Sequence, residues 1–306
     1  ISTNAMLANS VYAKDVDGDG DMDVLSASSK DNKIALYLND GSNNFTEQTI
    51  STNANGAQSV FAADVDDDGD VDVLSASWTD NKIALYVNDG SNNFTEHTIS
   101  NNADRARSVF AVDVDDDGDL DVLSGSVADN KIALYLNDGS NNFTEQTISN
   151  NAKGARSVFA ADVDGDGDVD VLSASREDHK IALYLNDGSN QFTEQTISNN
   201  ANGAHSVFAS DVDGDGDVDV LSASHKDNKI AMYLNDGSNQ FTEHTISSNA
   251  KGVNSVFAAD VDGDGDVDVF GGYDHKIALY ETVSVPNSPP TDLDLNNKNI
   301  DENVES

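Results

Sequence analysis

Six stretches of the form Asp-x-Asp-x-Asp-Gly-Asp-x-Asp run through the chain, beginning at Asp15, Asp64, Asp113, Asp162, Asp211 and Asp260, each 49 residues after the one before. Carboxylates at positions 1, 3 and 5 with glycine at 6 open a loop of the kind that wraps a hard divalent cation. Ca2+ takes six to eight oxygens, and the glycine allows the sharp turn that gathers them. In the first copy Asp15, Asp17 and Asp19 would ligate by side chain, Gly20 makes the turn, Asp21 offers its carbonyl, and Asp23 stands in for a more distant glutamate. The equivalent candidates are Asp64, Asp66, Asp68, Asp70 and Asp72; Asp113, Asp115, Asp117, Asp119 and Asp121; Asp162, Asp164, Asp166, Asp168 and Asp170. Asp211, Asp213, Asp215, Asp217 and Asp219, then Asp260, Asp262, Asp264, Asp266 and Asp268, complete the set. Position 12 is serine in five copies and Gly271 in the last, so the ligand set must close early, within a β-hairpin.

Asp-Gly turns are also common between strands without any metal. Here five carboxylates within nine residues, with a sixth at Asp67 and Asp116, would repel one another uncompensated. A cation resolves that conflict, and about six Ca2+ are expected. At ten times Kd each site contributes about 1.4 kcal/mol, and six give about 8 kcal/mol, comparable with the whole stability of a domain. The chain has no cysteine, so disulfides and thiolate sites are excluded and calcium is expected to be structural.

The elements that must hold these loops repeat with them. Each period carries four short runs rich in Val, Ile, Phe, Tyr and Thr, for example Ser59 to Ala63, Val71 to Ser77, Lys82 to Val87 and Phe94 to Ile99, and no helical period. Four antiparallel strands per period predict an all-β fold, a β-propeller of six four-stranded blades, with strands A to D and the acidic loop joining A to B. After Lys276 to Tyr280 no Phe-Thr-Glu-x-Thr-Ile strand follows, while Ile1 to Ala5 aligns with Ile50 to Ala54. A strand upstream of Ile1 is therefore expected to complete the sixth blade, and a seventh upstream repeat is compatible with the same reading.

The runs of the form Ser-Val-Phe-Ala-Ala-Asp-Val-Asp-Gly-Asp-Gly-Asp-Val-Asp-Val-Leu resemble FG-GAP/VCBS repeats, the family that includes the integrin-α propeller, over residues 8–283. The resemblance implies calcium in the A–B loops of a secreted or surface protein engaged in adhesion or glycan binding. The Phe-Gly and Gly-Ala-Pro tags of the family are missing here, so integrin-like ligand recognition is not carried over. Residues 289–303 resemble the opening of a bacterial cadherin-like domain and read equally as a polar linker. The expected domains are a propeller over 1–284 and a linker with a cadherin-like start over 285–306, the boundary lying at Val285 to Pro290.

A formal net charge of −40, from 56 acidic against 16 basic residues, excludes a nucleic-acid clamp. The six loops hold 32 of those acids, which leaves 24 against 16 elsewhere. No apolar run approaches a bilayer span, so membrane insertion is not expected and the chain should be soluble. With 37% hydrophobic residues in short β-type runs, it should fold rather than remain disordered.

Comparison of the repeats with one another places their variation in the D-to-A connections and the B–C turns. Antiparallel connectivity puts both on the face opposite the acidic loops. Fourteen basic residues against eight acids lie on that face. The tentative ligand-binding residues are Trp78, Arg105, Arg107, Arg156, Arg176, His205, His225 and Tyr273, for a polysaccharide or an extracellular protein surface. Drift in exposed loops would give the same pattern. No nucleophile with a base and an orienting acid is identifiable, so the expected function is a non-catalytic extracellular module from a bacterial protein, acting in adhesion, glycan or protein binding beside neighbouring domains. A lyase-type domain of a polysaccharide-degrading enzyme and a plain spacer are the alternatives.

Overall fold

The structure, a computed structural model, describes residues 1–273, 276–283 and 294–299. Among these there are only strands. The first sheet joins β1 (Ala8–Lys14), β2 (Asp23–Ser28), β3 (Lys33–Asn39) and β4 (Phe45–Ser51); the second joins β5 (Ala57–Ala63), β6 (Asp72–Ser77), β7 (Lys82–Asn88) and β8 (Phe94–Ser100). The third holds β9 (Ala106–Val112), β10 (Asp121–Ser126), β11 (Lys131–Asn137) and β12 (Phe143–Ser149); the fourth holds β13 (Ala155–Ala161), β14 (Asp170–Ser175), β15 (Lys180–Asn186) and β16 (Phe192–Ser198). The fifth is built from β17 (Ala204–Ser210), β18 (Asp219–Ser224), β19 (Lys229–Asn235) and β20 (Phe241–Ser247). The sixth is built from β21 (Ser255–Ala259), β22 (Asp268–Tyr273), β23 (Lys276–Val283) and β24 (Asp294–Asn299). In every sheet the strands pair in chain order. The fold is thus the β-propeller of six four-stranded blades that the period implies, and the four strands of each sheet are its A to D.

The sixth blade departs from expectation in its last strand. β24 pairs antiparallel with β23, from Ala278 opposite Asn299 to Val283 opposite Asp294, so the fourth strand comes from the C-terminal side rather than from upstream of Ile1. An unpaired β23 edge is a template for any extended segment within reach. The boundary expected at Val285 to Pro290 lies outside the described residues, as do Asp274 and His275.

Two compact units are distinguishable, Ile1–Val158 and Phe159–Ser306. In the first unit, Leu25, Ala27, Ile34 and Leu36 of one blade pack against Ala57, Val60 and Ala62 of the next, and Leu74, Ala76, Ile83 and Leu85 repeat the arrangement against Ala106, Val109 and Ala111. The second unit repeats it with Leu172, Ile181 and Leu183 against Ala204 and Val207, and with Leu221, Ile230 and Met232 against Val256. The alternation of the strands therefore supplies both faces of every blade, a branched face forward and a small-residue face backward. Residues at one repeat position consequently differ in burial with their neighbours: Val60 and Val109 are 4% exposed, whereas Val11 is 68% exposed.

The A strands β1, β5, β9 and β17 carry a bulge near their start. Ala57 pairs with Ser77 and Ser59 with Ala76, leaving Gln58 as the extra residue; Arg107 and His205 occupy the same position in β9 and β17. Bulges re-aim side chains, and this one turns a variable residue out of the ladder.

Candidate metal centre and the opposite loops

The A–B loop is held from both ends by its ninth residue. Asp72 is fully buried; its Oδ2 accepts from Val65 N at 3.0 Å and its Oδ1 from Asn88 N at 2.8 Å, so the carboxylate ties the loop to the end of the C strand. Asp121, Asp170 and Asp219 make the same two bonds in the next three blades. At the first position Asp64 Oδ2 accepts from Gly69 N at 3.0 Å, and Gly69 has φ +96°, a conformation that suits glycine. The backbone thereby curls around Asp64, with carboxylates 1, 3 and 9 turned toward a common point.

One oxygen from each of Asp64, Asp66 and Asp72 falls within a 4.8 Å cluster; Asp113, Asp115 and Asp121, Asp162, Asp164 and Asp170, and Asp211, Asp213 and Asp219 do likewise. In the first blade the cluster consists of Asp15, Asp17 and Asp19. The fifth and seventh carboxylates, such as Asp68 and Asp70, lie outside the clusters of blades two to five. Asp70 sits against the C–D turn of its own blade, where a Cβ on Gly90 would come 2.5 Å from its Oδ2. Asp64 Oδ1, Asp66 Oδ1 and Asp113 Oδ1 are buried with no hydrogen-bond donor. Orphaned acceptors converging with a third carboxylate are what a hard cation requires and what water-excluded carboxylates avoid without one. The residues therefore fit a divalent cation of the calcium type.

Electrostatics point the same way. Burial pushes Asp72, Asp121 and Asp170 up to about 6 and Asp219 up to about 7, above the ordinary carboxylate range. Burial, followed by the neighbouring Asp68, also raises Asp66. Two loops differ at position 4. Gly18, Gly165, Gly214 and Gly263 each donate to position 1 at 2.7 to 2.9 Å with left-handed φ values of 73° to 76°, and Asp67 and Asp116 hold the same left-handed region, at 57° and 59°, with a side chain. Those two loops are the ones in which the position 1 oxygen is orphaned.

On the other side of each blade the two variable connections touch. Trp78 N and Thr79 N donate to Gly56 O and Asn55 O, which joins the B–C turn to the preceding D-to-A connection. The Arg105 guanidinium lies over the Trp78 ring at 5.4 Å, and Arg107 donates to Gln58 Oε1. In the second unit the rings of His205 and His225 stand 5.6 Å apart, with Nδ1 of each beside Asn254, at 3.3 Å from its O and 3.0 Å from its Oδ1 respectively. Tyr273 packs against the core between the fifth and sixth blades. Arg156 and Arg176 occupy, in the fourth blade, the repeat positions that His205 and His225 hold in the fifth.

The lysines counted into a basic face are already engaged. Lys33, Lys82, Lys131, Lys180 and Lys229 reach Glu47, Glu96, Glu145, Glu194 and Glu243 of the D strands at 2.6 to 2.7 Å. These five pairs offset five of the positive charges that the sequence assigns to the face opposite the acidic loops. The pairing was not apparent in sequence because Glu96 stands opposite Tyr86, four residues along the strand from Lys82. The long lysine stem has to lie along the sheet to meet it.

A model of the FG-GAP-like repeat matches residues 15–75, 64–124, 117–173, 162–222 and 211–271. No curated protein matches the chain. Among solved structures, a provisionally assigned 6-phosphogluconolactonase from Bacteroides uniformis is 14% identical at a TM-score of 0.66, covering 95% of this chain and 84% of that one. A protein from Lactobacillus plantarum is 15% identical at 0.67, covering 94% and 83%. The V. cholerae biofilm matrix protein is 18% identical at 0.50, covering 83% of this chain and 42% of that one. At these identities the likeness is one of fold.

Proposed function

Since this chain belongs to the FG-GAP-like repeat family, we propose that it is a non-catalytic, calcium-stabilised propeller module that works outside the cell in adhesion, through glycan or protein binding. The observation that carries the reading is the recurrence of converging carboxylates at one register of successive blades, two of the loops also holding buried carboxylate oxygens without a donor. A carboxylate cluster repeated at one register supports a stabilising role rather than a chemical one. Millimolar extracellular calcium matches the affinity of such modules, and the V. cholerae protein of similar fold is by its name a biofilm matrix protein.

Ligand binding is assigned to the face bearing the D-to-A connections and B–C turns. Trp78 with the Arg105 guanidinium over its ring puts an apolar surface and a cation together, a combination suited to a sugar ring carrying a carboxylate or sulfate. A glycan array probed with and without calcium tests this. Binding to acidic glycans that needs calcium and drops in Trp78→Ala and Arg105→Ala supports the lectin reading. Calcium binding with no glycan or protein ligand at that face supports the spacer instead.

A further inference from the structure

The acidic loop of one blade is touched by the C–D turn of the next. In the first unit Asn137 Nδ2 donates to Val65 O at 3.1 Å, and Asn141 Nδ2 stands 3.4 Å from Asp66 Oδ2. In the second unit Asn235 Nδ2 donates to Val163 O at 3.1 Å, and the Asn239 side chain bonds to Asp164. The same contact thus occurs independently at two blade junctions. At 3.4 Å the amide–carboxylate bond is weak. Asn141 Oδ1, Asn239 Oδ1 and Asp66 Oδ1 are all buried without a donor, as are the Oδ1 atoms of Asn137 and Asn235, which are 4% and 3% exposed. A half-turn of the Asn141 amide would exchange its nitrogen for an oxygen facing Asp66. Without a cation that oxygen would face only other acceptors. Asn43, the equivalent residue in the first blade, is exposed.

We propose that Asn141 and Asn239 each supply an amide oxygen to the cation held by the preceding blade's acidic loop, so that the ion bridges two blades as well as closing one loop. This rests on the calcium reading of the loops. Both asparagines have left-handed φ values, 59° and 58°, so a turn-forming role is the competing explanation. Glycine serves that turn equally well and removes the amide.

The test uses the full chain and Ca2+ alone. The N141G/N239G variant is compared with wild type by isothermal titration and by melting in EGTA and in calcium. The bridge predicts a melting temperature in EGTA close to wild type, with two of the calcium sites weakened about tenfold, the equivalent of about 1.4 kcal/mol each. N141D/N239D, which keeps an oxygen and adds charge, should bind at least as tightly as wild type. Wild-type binding with unchanged affinity in N141G/N239G overturns the bridge. If the glycine variant already melts early in EGTA, N141D/N239D decides: tighter binding supports the bridge, and weaker binding overturns it. Failure of wild type to bind calcium at all would instead refute the loop reading on which the bridge depends.

Discussion

Asp72 and its counterparts show how one side chain can serve two purposes. Its two oxygens accept backbone N–H groups from Val65 and Asn88, and one of them also belongs to the cluster with Asp64 and Asp66. In Asp72→Asn one acceptor becomes a donor facing an N–H, so a loss of about 1 to 3 kcal/mol is expected in thermal melts even with calcium chelated. The raised pKa values set a pH dependence whose sign is opposite to that of a salt-bridged carboxylate. The folded protein keeps protons on Asp72, Asp121, Asp170 and Asp219 at pH values where the unfolded chain has released them. Their contribution is complete below the unfolded value near 4 and is lost as pH rises through about 6 to 7. Metal-free protein should therefore melt at a lower temperature at pH 8 than at pH 5, and calcium should flatten that slope; a metal-free Tm that rises over this range would contradict it. The sequence displayed the carboxylates and their spacing. It did not display the clamp, because Asn88 lies on another strand and only the folded hairpin brings it to Asp72.

At the level of the strand and turn, the 49-residue period, the four β-type runs and the turn residues were legible because each depends on local chemistry. The C–D turn adds a constraint the period alone does not explain. Gly90 has φ +74° and would place a Cβ against Asp70. Gly90→Ala should cost about 1 kcal/mol or more from backbone strain alone and displace Asp70, with loss of stability visible by chemical denaturation. Glu145→Gln removes the charge opposite Lys131, a pair at 2.7 Å on a half-covered sheet face. About 1 kcal/mol is expected there, with added salt narrowing the difference between variant and wild type. What sequence missed at this scale was β24. Asp294–Asn299 contains a single apolar residue and no period-2 pattern, so only its backbone pairing with β23 marks it as a strand.

Taken whole, the chain is a series of blades whose cost of substitution depends on neighbours rather than on residue type. Val109→Ala removes methyl groups from a 4% exposed site and should cost about 2 kcal/mol. Val11→Ala, at the same repeat position but 68% exposed, should be close to neutral. Equal losses at the two positions would show that Val11 is covered in solution. The charge is distributed by the same logic: 32 of the 56 acids sit in the six loops, where a divalent ion at each would offset much of their mutual repulsion. Differential scanning calorimetry of the full chain in calcium and after chelation tests the central claim most directly. Calcium binding to about six loops predicts a Tm higher by about 10 °C or more in calcium, reversed by EGTA; identical unfolding curves in the two conditions would contradict it.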